Sequence, residues 1–81
     1  MAKHLNMQVA ETRYNELRFR RNVSGLTWAN LAFMFQALAN KYHADAIPGY
    51  AQICELRASE CEMRSREALL SAQAVVNQIS R

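Results

Sequence analysis

The chain reads as mostly helical, with one short strand at its start that needs a second copy of the chain to pair with. Three observations predict this. From His4 to Val9 the residues alternate, His4, Asn6 and Gln8 against Leu5, Met7 and Val9, the period-two pattern of a strand half in water and half on a core. No second strand follows, because the rest of the chain has helical periodicity. Finally, 51% of the 81 residues are hydrophobic, in a chain too short to bury a large core alone. The strand's backbone N–H and C=O groups need partners. The economical source is the same strand of a second chain, forming an antiparallel two-stranded ribbon.

Each later element follows from its punctuation. Ala10, Tyr14 and Leu17 stand at helical spacing, which predicts a first helix from Ala10 to Val23. Ser24 and Gly25 are read as its end, since glycine takes the left-handed conformation at little cost. Thr27 is a good N-cap for a second helix. Trp28, Leu31, Ala32, Phe35, Leu38, Ala39 and Tyr42 then form a buried stripe, which Phe33, Met34 and Ala37 widen nearly all round. A helix apolar on several faces has to be buried on several faces. Trp28, Leu31, Phe33, Phe35 and Leu38 therefore call for a second copy.

Pro48 and Gly49 break the chain again, and from Tyr50 to Ile79 neither residue type recurs, so one long helix is predicted. Cys54, Cys61, Ala68 and Val75 repeat every seven residues, as do Ala58, Ser65, Ala72 and Ile79. A stripe of mostly small side chains suits close helix–helix approach. Leu56, Met63 and Leu70, also seven apart, lie off it. This predicts a head at 1–43, an oligomerisation segment at 44–81, and a homodimer or homotetramer. The expected oligomer interface is Leu5, Met7, Val9, Trp28, Leu31, Phe35, Leu38, Cys54, Cys61, Ala68 and Val75.

Charge is uneven. Residues 1–42 hold six basic and two acidic residues, a balance of +4, and residues 43–81 a balance of −1. A basic half that also carries the ribbon suits a phosphate-facing surface. An antiparallel ribbon fits the major groove of double-stranded DNA, where His4, Asn6 and Gln8 can reach base edges. Cys54 and Cys61 are two helical turns apart, roughly 10 Å by rise, too far for a bridge within one chain. No stretch is long and apolar enough for a membrane, and the start lacks a signal-peptide layout, so a cytoplasmic protein with reduced thiols is expected. His4 and His43 are isolated, and no phosphate loop or metal constellation appears. No enzyme, metal or cofactor is expected.

The ribbon His4-Leu5-Asn6-Met7-Gln8-Val9, the segment Leu17-Arg18-Phe19-Arg20 and the turn Gly25-Leu26-Thr27 together resemble the ribbon-helix-helix DNA-binding proteins, the phage Arc and Mnt type of repressor. The resemblance is gapless from His4 to Thr27, and the C-terminal half is similar in layout. It implies a ribbon-helix-helix dimer acting as a sequence-specific transcriptional repressor, with His4, Asn6 and Gln8 contacting bases. It further implies that Thr27 and the Trp28 backbone N–H hold a DNA phosphate at a helix N-terminus. Arg13, Arg18 and Arg21 are the expected flanking phosphate contacts. The competing reading is all-helical. Lys3, Met7, Ala10, Tyr14 and Leu17 also fit helical spacing, and the chain is then a helical bundle or hairpin. That is a protein–protein interaction module, in the style of a small chaperone, inhibitor or adaptor subunit.

Overall fold

Asn6 begins the first helix. In the computed structural model, which describes residues 6–79 and side chains as far as residue 74, its Oδ1 accepts a hydrogen bond from the Val9 N–H at 2.8 Å. This is an N-cap, and α1 runs Met7–Arg18 behind it. Three helices make up the fold, α1, α2 (Gly25–Ala44) and α3 (Pro48–Ile79), with no strand among the described residues. The predicted ribbon is therefore corrected. Met7, Gln8 and Val9 are helical, Met7 packs against the core, and Gln8 and Val9 are exposed. His4 and Leu5 lie outside the described residues. Six alternating residues were too short a window to decide the period. The stripe of Ala10, Tyr14 and Leu17, all buried, carries the helical period through the segment.

The boundary between α1 and α2 also moves. α1 stops at Arg18, and the left-handed residue of the connection is Asn22, with φ 62°, a residue type that tolerates this region. Ser24, not Thr27, caps α2. Its Oγ accepts from the Thr27 N–H at 3.1 Å. Gly25 is the first residue of α2, and its purpose is closeness. A Cβ there would stand 2.9 Å from Leu69 Cγ and 3.1 Å from the Ser65 carbonyl oxygen. The Ser65 hydroxyl, buried, donates to the Gly25 carbonyl at 2.8 Å.

α2 ends in a Schellman motif. The Ile47 N–H bonds the Tyr42 carbonyl at 2.8 Å, and the Ala46 N–H bonds that of His43 at 3.1 Å. Ala46 takes the left-handed position, φ 58°, where glycine is usual. Pro48 follows as the first residue of α3, a place where its missing N–H costs nothing.

α2 and α3 form an antiparallel hairpin closed by this turn. One core joins the two segments that the sequence divides at residue 43. Trp28, Leu31, Ala32, Phe35, Leu38 and Ala39 of α2 meet Cys54, Ala58 and Cys61 of α3. The small-residue stripe of α3 thus serves a contact within the chain, where small side chains let α2 approach. α1 lies in the groove along one side, running with α3, since Glu11 meets Arg57 and Tyr14 meets Glu60. At 32 residues, α3 spans about 48 Å and sets the long dimension of 53 Å. It continues past the level of Gly25 by about 20 Å.

Candidate interaction surface

The two flanks of the α2–α3 hairpin are built differently. On the first flank Tyr14 is the keystone. Its ring meets Trp28 and Phe35 edge-on, with centroids 6.3 Å away in each case, a favourable aromatic geometry. Its hydroxyl donates to Glu60. The Arg57 guanidinium lies 4.6 Å from the ring centroid and bonds Glu11 at 2.9 Å and Glu60 at 3.2 Å. Arg57 thus ties α1 to α3 and covers the ring face at once. Burial and the Glu60 bond push the Tyr14 phenol above its ordinary value, and the Glu11 bond does the same for Arg57. Arg64 covers Trp28 at 5.1 Å. Each of the polar groups that seal this flank has a partner.

The second flank, opposite α1, has no such cover. Phe33 is 76% exposed, against 0% for Phe35 two residues on. With Ala29, Ala32 and Gln36 of α2, and Glu62, Ser65 and Arg66 of α3, it lines a groove of about 330 Å³. Toward the free end of α3 a larger crook of about 670 Å³ lies between the α1–α2 connection and Ala68, Leu69, Ser71 and Ala72. Leu26 and Leu69 stand at its edge, 70% and 60% exposed. Leu56, Met63 and Leu70 form an exposed stripe on the outer side of α3, where Met63 shares a hollow with Glu60, Arg64 and Glu67.

These placements redistribute the residues singled out by sequence. Thr27 and Trp28 lie in the first turn of α2. Their N–H groups are taken by the Oγ and the carbonyl oxygen of Ser24, and the Thr27 hydroxyl pairs with Ser24 Oγ at 2.7 Å. Arg13 pairs with Glu16 at 3.5 Å, Arg18 lies over Tyr14 and Phe19, and Arg21 is exposed in the connection. Gln8 and Arg13 line one hollow of α1 with Val9, Thr12 and Glu16.

The expected oligomer residues Trp28, Leu31, Phe35, Leu38, Cys54 and Cys61 are buried inside one chain, a correction to their assignment to a surface. α1 and α3 supply the cover that the sequence sought in a second copy. Ala68 is half-buried and the Val75 side chain lies outside the described residues. Both cysteines are free thiols, and burial pushes Cys61 up to about 11. A thiol so protonated is a poor nucleophile.

The polar seal of Glu11, Tyr14, Arg57 and Glu60 was missed by sequence reasoning. Its partners are 46 residues apart, and the spacing of Arg57 and Glu60 was the one local hint. Leu26 and Leu69 were missed as well. Among the described residues, no three His, Cys, Asp or Glu side chains are placed to hold a metal ion, and no helix is long and apolar enough to cross a membrane. Comparison with protein-family models, curated proteins and solved structures found no match to this chain.

Proposed function

We propose that the chain is an all-helical protein–protein interaction module, of the small adaptor, inhibitor or chaperone kind, and that it docks through the flank of α2 and α3 opposite α1. The observation that carries this reading is the exposure of Phe33 in the groove and of Leu26 and Leu69 at the neighbouring crook, in a chain whose core stripe on α2 is buried. Scattered exposed apolar residues are ordinary, whereas a contiguous apolar strip with a polar rim is the usual mark of a docking surface. Fully burying one such side chain is worth about 1.5–3 kcal/mol. Three of them offset a large part of the association cost. The charged rim of Glu62 and Arg66 supplies orientation more than affinity.

The test is a double substitution, Phe33→Asp with Leu69→Asp, in the tagged protein recovered from its own cells. The expected result is unchanged helicity and thermal midpoint, together with loss of the co-purifying protein or of self-association. Loss of the fold, or complexes indifferent to the double substitution, would contradict the reading.

A further inference from the structure

We infer that the occupant of this flank is the same flank of a second copy, arranged about a two-fold axis that passes beside α3 at the level of residue 64. The inference rests on the interaction reading above and specifies its partner.

A charge pair of α3 sets this centre. Glu62 and Arg66 line the same groove one helical turn apart, with their midpoint at residue 64. A two-fold axis perpendicular to α3 at that level runs the two α3 helices antiparallel. It sets Glu62 of each copy against Arg66 of the other, so that one axis produces two opposite-charge contacts. A parallel arrangement puts like on like. Self-complementarity of this kind is what an isologous interface requires.

The α2 side agrees. Phe33 lies at the Glu62 end of the groove, and Leu26 and Leu69 lie at the opposite end, by the crook. The two-fold exchanges the ends. Each exposed ring then stands over the other copy's Leu26 and Leu69, next to the crook, which has room to receive it. A standard interface takes about 800 Å² from each partner, roughly one eighth of the 6213 Å² surface of the chain.

Reciprocal pairing has a signature that an intrahelical pair lacks. Sedimentation velocity of the full chain at 5–100 µM (on the order of ordinary specific affinities) should show a dimer. E62R and R66E, each alone, should weaken dimerisation at least tenfold, because each sets like charges together across the axis. Mixing the two variants should restore a dimer, now a heterodimer. A pair acting inside one helix gives no rescue on mixing.

Monomeric wild-type protein throughout this range, or variants that dimerise undiminished, would overturn the second copy as occupant. So would absence of rescue on mixing. The interaction reading survives that result if the double variant carrying Phe33→Asp and Leu69→Asp still loses a different co-purifying protein, and fails with it if no complex depends on those positions.

Discussion

The flank of the hairpin covered by α1 and the flank opposite it are made by the same two helices, yet they are finished in opposite ways. On the covered side an aromatic side chain fills the groove, and Glu11, Arg57 and Glu60 satisfy one another around it. On the bare side an aromatic side chain of similar size points into water beside Glu62 and Arg66. The difference teaches that α2 is apolar on two sides for two reasons. One side, with Trp28, Leu31 and Phe35, holds the chain together, and the other, with Phe33 and Leu26, is exposed and is the side we propose a partner covers.

The sharpest way to break this comparison is to truncate the aromatic residue of each flank. Tyr14→Ala should cost about 3–5 kcal/mol, the scale of buried aromatic truncations, whereas Phe33→Ala should stay within about 0.5 kcal/mol, as exposed substitutions do. Chemical denaturation below the dimer concentration range measures both. Equal losses would erase the distinction between the flanks.

A second effect belongs to the covered core alone. Burial raises the Cys54 and Cys61 thiols, Cys61 to about 11 from an ordinary 9.0, and burial with the Glu60 bond raises Tyr14. The folded state therefore holds these protons more tightly than the unfolded chain. The stability this confers is whole below pH 9 and is lost as pH rises through about 11. Thermal midpoints should hold from pH 8 to about 9 and fall above it, and those of Cys61→Ala, although less stable, should fall less steeply.

Arg57→Met should come next, at about 1–2 kcal/mol. It strips Glu11 and Glu60 of their donor in a half-buried setting, and solvent at the rim softens the loss. The same exchange at Arg66 should leave stability unchanged and alter association instead, a contrast that urea titration and sedimentation resolve together. The smallest change concerns the turn that both flanks share. Ala46→Gly relieves a left-handed alanine and should raise stability by up to about 1 kcal/mol, seen as a higher thermal midpoint.

Much of this architecture is legible in the residues. The uninterrupted run after Pro48 and Gly49 marks out α3 nearly to its ends, and the Trp28, Leu31, Phe35, Leu38 stripe is the core. Helical periodicity over several turns leaves little room for another answer. The N-terminal segment misled because alternation over His4 to Val9 fits two periods, and because Asn6 is equally apt as a base reader and as an N-cap. Gly25 misled in the same way. A glycine beside serine signals a helix end, but here it admits Leu69 and the Ser65 carbonyl to the start of the next helix.

The candidate site was harder to see. Phe33 stood out as surplus apolar surface, but its assignment to one flank with Glu62 and Arg66 depends on which side α1 takes. Tyr14 and Arg57 decide that from opposite sides of α2 in the sequence, and no local pattern encodes it.

The claim that partners occupy the flank opposite α1 is tested most directly by site-specific photocrosslinking. A benzophenone side chain placed at position 33 is compared with one at position 15, an exposed site on α1. The account predicts a discrete crosslinked product from position 33, the dimer in purified protein, and none from position 15. Crosslinking at position 15 with none at position 33 would contradict it.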